Sequence, residues 1–405
     1  MIDRDLLPVF RDSLRRYEQM LFVSGPRQAG KTTLAKMLLR EFPAGRYWSF
    51  DIPGDRLLLI QKPRFFEEID RDRTVKPLVV LDEIHKYPRW KAYLKGAFDL
   101  ARGEFGFLVT GSGRLDLGRR GGESLSGRYF SHHLFPLTIG ELTGDRTALK
   151  DFLAHPDELP EGVEGSWPLW QGLERLSGFP EPFSRGEETF YRRWAGPYHR
   201  QLVREDVRDL TGIRDIARLE MLAALLPGKV GGLLSLNSLR EDLQVAHETV
   251  GSWIETLAAF YLVFLVRPWS RKITRAIRKE PKLYFFDWAA VADPSARFEN
   301  MVAVHLKKAV SDWTERGEGS FDLHFARDRS KAEVDFVLSR DGKPILLVET
   351  RIEETEPAKS LVKMKMALSA PAVQLVNRPG ISRKVTAGGE RILVVSADRW
   401  LSRLP

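Results

Sequence analysis

The chain has 405 residues, a formal net charge of +8, 43% hydrophobic and 29% charged residues, and no cysteine. Its length predicts two or three domains, the lack of cysteine excludes disulfides, thiol catalysis and thiolate metal sites, and the positive charge favours an anionic partner such as nucleic acid. No apolar run reaches the roughly 18–20 residues of a membrane span, and acids stand where a signal peptide would be basic, so we expect a cytoplasmic protein without a membrane partner.

The first motif in chain order is a glycine-rich loop that follows the apolar run 20–24 and matches the pattern G-x-x-x-x-G-K-[ST]. Its glycines let backbone N–H groups approach a phosphate closely, and the helix predicted over 32–42 adds the positive end of its dipole. Lys31 is expected to bind the β- and γ-phosphates, and Thr32 is expected to ligand Mg²⁺. The residues predicted to bind the nucleotide are Gly25, Pro26, Arg27, Gln28, Ala29, Gly30, Lys31, Thr32 and Thr33.

A second candidate element, at 76–86, is an apolar run that ends in Asp82 and Glu83. A continuous apolar run is typical of a buried parallel strand, and ligands of parallel sheets bind at the carboxyl ends of the strands. We therefore expect Asp82 to hold Mg²⁺ and Glu83 to orient and activate the attacking water. A third predicted strand places Thr110 and Ser112 beside them, as candidate contacts to the γ-phosphate or to the water.

Arg128 follows a segment rich in glycine and serine and precedes the strand-like run 129–135. One interpretation is an arginine finger that stabilises transition-state charge on the nucleotide of a neighbouring subunit. The other interpretation is a surface arginine without a catalytic role. The sequence favours neither.

Several segments resemble the AAA-type (AAA+) ATPases of bacteria and archaea that carry a C-terminal domain of unknown function related to PD-(D/E)XK nucleases. These segments are, in order, SGPRQAGKTT, VVLDEIHK, FLVTGSG, SLSGRYF and LFPLTIGEL. The similarity continues through LSGFPEPF, PKLYFFD, RFEN and AEVDFVL, and so covers nearly the whole chain. The resemblance implies an α/β fold with a P-loop AAA+ core over residues 1–145, and ATP and Mg²⁺ as cofactors.

Downstream of this core the sequence changes character twice. Residues 143–185 are rich in proline, glycine and acids and are predicted to be a loop or linker, whereas 187–210 and 215–226 have the spacing of amphipathic helices. We interpret these helices as a lid, so a linker and helical lid is expected over residues 146–228.

Residues 229–292 predict a winged-helix module, in which two helices separated by a tight break near Ala246-His247 precede two β-rich runs. The hairpin segment is basic, and its cations are Arg267, Arg271, Lys272, Arg275, Arg278, Lys279 and Lys282. Basic side chains on a hairpin suit DNA phosphates, and those expected to contact DNA are Arg271, Lys272, Arg275, Arg278 and Lys279. The alternative is a winged helix that packs against protein, with its charges solvated.

Residues 293–405 predict a further α/β domain, for which the resemblance implies a PD-(D/E)XK-like fold. Two of its strands are joined at Asp341-Gly342-Lys343, which reads as a hairpin with a three-residue loop. That loop length places Asp335 opposite Glu349, so two carboxylates meet on one face of the sheet.

Glu299, from the first turn of a predicted helix, is a third acid that can help to hold a divalent metal. The family motif asks for a lysine two residues after Glu349, where this chain has Arg351. Arginine stays charged and prefers bidentate pairing, so one interpretation is that Arg351 neutralises Glu333 across the strands. The nuclease-like candidate site comprises Glu299, Asp335, Glu349 and Arg351.

A lysine from elsewhere in the chain is an alternative to the missing one, and Lys343 and Lys363 are candidates. Two interpretations of the domain therefore stay open. It is either an active nuclease or a degenerate domain that binds nucleic acid or mediates assembly.

Three functions from different classes follow. The first is a Mg²⁺-dependent ATPase bound to DNA, in which nucleotide turnover rearranges a homo-oligomer, with a hexamer as one option. The second is an ATP-regulated, metal-dependent DNA nuclease. The third is a non-catalytic ATP-dependent switch that binds a protein partner.

Overall fold

The computed structural model describes residues 2–72, 75–111, 125–144, 147–158, 166–207, 213, 215–270 and 279–405. The chain divides into two compact units, the first made of residues 1–135 with 259–261 and the second of 136–258 with 262–405. Five residues with predicted roles lie outside the described ranges: Ser112, Arg271, Lys272, Arg275 and Arg278.

The first unit is built on five strands: β1 (Met20–Ser24), β2 (Arg46–Ser49), β3 (Leu78–Asp82), β4 (Gly106–Thr110) and β5 (Tyr129–His133). They form one parallel sheet in the order β2-β3-β4-β1-β5. Every residue of β1, β3 and β4 is buried, which explains why these strands read as continuous apolar runs rather than as alternating ones.

The helices that the structure describes in this unit are α1 (Leu6–Arg16), α2 (Lys31–Leu39), α3 (Pro53–Gln61) and α4 (Trp90–Ala101). Apolar side chains of α1 and α2 form one core with the sheet, and those of α4 belong to a second core. The parallel register brings the carboxyl ends of β1, β3 and β4 to the same edge, because Thr110 lies opposite both Val23 and Asp82. Ligands of open parallel sheets bind at such an edge.

The second unit begins with helices in the region 143–185, for which the sequence predicts a loop or linker. The structure shows α5 (Ile139–Thr143), α6 (Leu149–Ala154), α7 (Ser166–Leu176) and α8 (Pro180–Arg185). The linker prediction is therefore wrong for most of this region. Trp170, Leu173 and Leu176 recur at helical spacing and are buried, but the surrounding prolines, glycines and acids hid that pattern.

Four further helices follow: α9 (Glu188–Gln201), α10 (Ile216–Leu225), α11 (Leu236–Leu243) and α12 (His247–Ala259). A π-helical turn at Leu202–Val207 extends α9. Helix α11 ends at Gln244, whose φ of 53° is left-handed, and α12 begins three residues later at the predicted break. The two helices of the predicted helix–turn–helix are thus present.

The remaining strands are β6 (Val263–Pro268), β7 (Lys282–Phe285), β8 (Phe321–Arg327), β9 (Glu333–Arg340), β10 (Lys343–Arg351), β11 (Ala372–Val376), β12 (Ser382–Ala387) and β13 (Glu390–Ser396). They form one sheet in the order β12-β13-β11-β10-β9-β8-β6-β7. The hairpin strands β6 and β7 pair with each other antiparallel, and β6 also pairs parallel with β8. Strands from both sides of residue 292 therefore share a sheet.

The last helices that the structure describes in this unit are α13 (Pro294–Glu315), α14 (Lys359–Leu368) and α15 (Ala397–Leu401). Helix α13 is almost entirely buried over its middle turns, and α14 shares a core with β9, β10, β11 and β13. Within the described ranges, no helix has both the length and the apolar character that crossing a bilayer requires.

The hairpin between β9 and β10 differs from the prediction. Its loop has two residues, Asp341 and Gly342, both with the positive φ of a type I′ turn, instead of three. A bulge early in β10 then shifts the register by one residue. The two differences cancel, so Asp335 and Glu349 come to lie side by side as predicted.

Candidate active site

The nine residues predicted to bind nucleotide occupy the loop between β1 and α2 and the first turn of α2. Gly25 has a φ of 147°, and a Cβ there would lie only 2.3 Å from the carbonyl oxygen of Leu134. Gly30 has a φ of 100° and begins α2 from a left-handed conformation. A side chain at either position would strain the backbone, so the glycines are required by the path of the loop.

Arg4 fixes this loop from outside the motif. Its buried guanidinium donates hydrogen bonds to the carbonyl oxygen of Ala29 at 2.8 Å and to that of Phe135 at 2.5 Å. Sequence reasoning missed Arg4, because a lone arginine before the first helix carries no pattern that connects it to a loop some 25 residues later.

Lys31 and Thr32 are the first two residues of α2 and point into the site. The buried Lys31 Nζ donates hydrogen bonds to the carbonyl oxygens of Gly25, at 2.9 Å, and Pro26, at 2.7 Å. The Thr32 hydroxyl donates to Asp82 Oδ2 at 2.8 Å. The structure thus brings the loop and the end of β3 together as the sequence predicts.

Asp82 is surrounded by hydroxyl groups. Thr32 and Tyr47 both donate to its Oδ2, Tyr47 at 2.5 Å, and Thr110 donates to its Oδ1. Burial, together with the hydrogen bond to Asp82, raises the pKa of Tyr47, so the phenol keeps its proton at neutral pH. Sequence reasoning missed Tyr47. The sequence feature that could have indicated its role is a tyrosine in β2, because β2 pairs with β3 and β3 ends in Asp82.

Glu83 follows Asp82 in a left-handed conformation, with a φ of 58°. Its carboxylate lies 3.4 Å from His85 Nε2 and 3.9 Å from Lys86 Nζ. Burial raises the pKa of Glu83 to about 7, although the positive charges of Lys31 and Lys86 act in the opposite direction. A carboxyl group that titrates near neutral pH is suited to general-base catalysis.

These residues fit ATP and Mg²⁺. The glycines leave room for phosphate against the backbone, and Lys31 supplies a positive charge at the head of a helix. The Thr32 hydroxyl and the Asp82 carboxylate, already in contact, are the hard oxygen ligands that Mg²⁺ prefers.

Comparison with protein families agrees with this geometry, since residues 17–143 match the family model described as an AAA domain. Residues 17–143 of this chain are therefore an AAA-type domain. Residues 175–293 and 295–397 match models of two domains of unknown function, DUF8612 and DUF4143.

Relatives of the whole chain are distant. It is 24% identical to the uncharacterized proteins Mb2031c of Mycobacterium bovis and Rv2008c of Mycobacterium tuberculosis, over 98% of this chain and 84% of theirs. A solved structure, the Walker-type ATPase PABY2304 of Pyrococcus abyssi, aligns at 15% identity with a TM-score of 0.45, over 73% of this chain and 96% of that chain.

Arg128 lies at the other end of the AAA domain's sheet. It immediately precedes β5, whose first residue pairs with Met20, whereas the nucleotide loop follows Ser24. Five strand steps, about 16 Å, therefore separate Arg128 from that edge. Its guanidinium makes a bidentate ion pair with Asp99 of α4, at 2.8 and 3.0 Å. The structure does not bring Arg128 to the nucleotide loop of its own chain.

In the second unit, the structure brings the predicted nuclease-like acids together. The backbone N–H of Asp335 donates to Glu349 Oε2 at 3.3 Å, and Thr350 donates to Asp335 Oδ2 through both its backbone N–H and its hydroxyl. Arg351 Nη2 lies 2.5 Å from Glu349 Oε1. The predicted pairing of Arg351 with Glu333 is therefore wrong.

Lys282 is the residue of this cluster that sequence reasoning misassigned. The sequence groups Lys282 with the basic residues of the hairpin, but only 1% of it is exposed and its Nζ lies 2.7 Å from Glu333 Oε1. The same Nζ and the hydroxyl of Tyr284 both contact Glu299 Oε1, at 3.1 and 2.7 Å. Side chains alternate between the two faces of a strand, so residues 282 and 284 of β7 lie on one face. This alternation could have indicated that Lys282 lies beside the buried Tyr284.

Proposed function

We propose that the chain hydrolyses ATP with Mg²⁺ at the nucleotide loop of its AAA domain. The observation that carries this proposal is the meeting of the loop, Thr32, Asp82 and Glu83 at one edge of a parallel sheet. A loop that bound phosphate for another purpose would not need a metal-ligating acid and a buried carboxyl group beside it.

Each residue has a role in this proposal. Lys31 neutralises phosphate charge, and Thr32 and Asp82 hold the metal ion. The ion, when bound, stabilises negative charge on the phosphate oxygens. Glu83 takes the proton of the attacking water, which its pKa of about 7 allows near neutral pH. Tyr47 and Thr110 orient Asp82 through its two oxygens.

We propose further that the chain works as a homo-oligomer in which Arg128 reaches the nucleotide of a neighbouring subunit. Support comes from its position at the opposite end of the sheet from its own loop. Asp99 would hold the guanidinium until a neighbour docks. A hexamer is one assembly in which each subunit both gives and receives an arginine.

The proposed partner is DNA. Support comes from the net charge of +8 and from the order of helix, turn, helix and hairpin over α11, α12, β6 and β7, which is that of a winged helix. Lys279 is exposed and remains a candidate contact, together with Arg271, Lys272, Arg275 and Arg278. Lys282 is excluded because it is buried.

For the C-terminal region we propose a PD-(D/E)XK-like fold that no longer cleaves nucleic acid. Support comes from the mixed sheet with Asp335 and Glu349 at adjacent positions, and from Arg351 in the place of the family lysine. The alternative of a switch that binds a protein partner uses the same nucleotide site and differs only in what the second unit contacts.

The test is a phosphate-release assay on the full chain with and without linear, forked and four-way DNA. We expect Mg²⁺-dependent hydrolysis that Lys31→Ala abolishes and that DNA changes at low salt. Arg40→Ala, an exposed arginine just after α2, is the matched control and should retain activity. No hydrolysis would contradict the ATPase, and hydrolysis without binding to any DNA would favour the protein-binding switch.

A further inference from the structure

Lys282 lies at the centre of the carboxylate cluster of the second unit. It is the first residue of β7, and its Nζ is 2.7 Å from Glu333, 3.1 Å from Glu299 and 3.6 Å from Asp335. Three acids from β9 and α13 therefore share one ammonium group. An ammonium donates three hydrogen bonds and accepts none, so it can bind carboxylates as a small cation does but cannot be a metal ligand.

The centre of the cluster is buried. The side chains of Lys282 and Glu349 are both 2% exposed, those of Asp335 and Glu299 are 13% and 14% exposed, and that of Glu333 is 25% exposed. A nuclease centre must admit a phosphodiester and a water to its metal-binding oxygens. Here Glu333 is the most exposed of the acids, and the ammonium of Lys282 already contacts it.

The charges of the cluster are already close to balanced by side chains. Among the residues that the structure describes, its four acids are Glu299, Glu333, Asp335 and Glu349, and the cations that contact them are Lys282, Arg327 and Arg351. A divalent ion bound by these acids would have to displace the Lys282 ammonium from the oxygens that it now contacts, because both cations need the same lone pairs.

Two further observations agree with a cluster in which side chains, and not a metal ion, balance the charges of the acids. Burial lowers the pKa of Lys282, but the carboxylates of Glu299, Asp335 and Glu333 outweigh burial and raise it above its ordinary value, so the ammonium stays charged. Within the ranges that the structure describes, no group of three or more His, Asp or Glu side chains is arranged to hold a metal ion.

We propose that the Lys282 ammonium takes the place of a divalent cation in this cluster, so that the second unit holds a closed ion-pair network that does not cleave nucleic acid, and that removing the ammonium opens a divalent-metal site. This inference rests on the proposed loss of nuclease activity, for which it gives a physical cause, and it does not depend on the proposed ATPase.

The substitution Lys282→Met tests this inference. Methionine fills a similar volume without charge, so the variant leaves Glu299, Glu333 and Asp335 buried without their shared counter-ion. Such acids then take up either protons or an added cation. We expect a lower melting temperature than the wild type in EDTA, and recovery when Mn²⁺ is added.

The experiment is thermal unfolding of the full, nucleotide-free chain over a MnCl₂ titration. For Lys282→Met we expect a rise of roughly 5–10 °C when Mn²⁺ is about 100-fold above its dissociation constant. The wild type should not respond, and neither should Lys359→Met, a matched change of an exposed lysine at the start of α14. Adding Asp335→Asn to Lys282→Met should remove most of the rise.

Two results would overturn the inference. One is binding of Mn²⁺ by the wild type that Asp335→Asn abolishes, a measurement that stays informative even if Lys282→Met does not fold. The other is Mn²⁺-dependent DNA cleavage by the wild type that Lys282→Met abolishes, which would make Lys282 a catalytic lysine. A lack of ATPase activity would not affect either of these tests, because both concern the acids of the second unit.

Discussion

The AAA domain and the second unit each gather carboxylates on the strands of a sheet, but they surround them with different neighbours. Asp82 accepts hydrogen bonds from three neutral hydroxyl groups, those of Thr32, Tyr47 and Thr110. Asp335 also accepts hydrogen bonds from Thr350, but it and the acids around it face fixed cations as well, with Lys282 at their centre.

This difference decides what each group of acids can bind. A hydroxyl oxygen has lone pairs, so it can join a carboxylate in binding a metal ion, as proposed for Thr32 and Asp82. An ammonium or guanidinium has none and repels a cation. Two acid clusters that look alike in sequence are therefore expected to differ in metal chemistry, one open to Mg²⁺ with nucleotide and the other closed.

The largest expected effect comes from Glu83→Gln. The amide keeps the size of the side chain but cannot take a proton from water, so the ATPase kcat should fall by about 100- to 10,000-fold. Nucleotide affinity should change little, because Lys31 and the loop are intact. Steady-state kinetics and nucleotide binding by calorimetry check this. Glu104→Gln, at an exposed acid, is the control, and equal losses in both variants would refute the role of Glu83.

The pH dependence of stability sharpens the comparison in the second unit. Burial first, and then the charge of Asp335, raise the pKa of Glu299 from its ordinary 4.5 to about 7. Folding therefore favours the protonated form. The associated stabilisation is complete below about pH 4.5 and is lost as the pH rises through 7, by up to about 3 kcal/mol.

Glu299→Gln does not titrate, so its stability should change less over this pH range than that of the wild type. Unfolding by urea at pH 5 and pH 8 measures the difference. If the two proteins show parallel pH dependence, Glu299 does not titrate between these values and the described surroundings of its carboxyl group are incorrect.

A smaller effect is expected in the pH profile of the ATPase. Because the pKa of Glu83 is about 7, kcat/KM should rise with pH along a limb near 7. Lys86→Met removes a positive charge that lowers this pKa, so the limb should move to higher pH. ATPase rates of the wild type and of Lys86→Met from pH 6 to pH 9 test this. If the limb does not move, a group other than Glu83 produces it.

The smallest effect is expected for Tyr47→Phe, which removes one of the hydroxyl groups on Asp82. A neutral hydrogen bond contributes about 1 kcal/mol, so we expect roughly a 5-fold loss in kcat/KM, partly recovered at high Mg²⁺. A titration of the rate against Mg²⁺ separates this from a folding defect, because a folding defect would not respond to the ion.

The sequence predicted the parts of the molecule whose signals are local. The loop from Gly25 to Thr33 is contiguous, and Asp82 and Glu83 end a run of apolar residues, so the sequence alone predicts that the loop precedes a helix and that Asp82 ends a buried strand, as the structure shows. The pairing of Asp335 with Glu349 was also correct, although through a wrong loop length that a bulge in β10 compensates.

The residues that escaped prediction act across elements. Arg4, Tyr47 and Lys282 each contact partners at least 17 positions away in the chain. Lys282 shows the difficulty best. It follows the basic segment of the hairpin and so looks like one more solvent-exposed cation, whereas the structure places its side chain in the core. A single charged residue in a short strand does not reveal which face it occupies until the partners on that face are known.

The number of metal ions bound per chain tests the comparison most directly. With a non-hydrolysable ATP analogue, we predict one tightly bound Mn²⁺ per chain, lost in Asp82→Asn and unchanged in Asp335→Asn. Two Mn²⁺ per chain, one of them lost in Asp335→Asn, would contradict the account, as would a single ion that persists in Asp82→Asn.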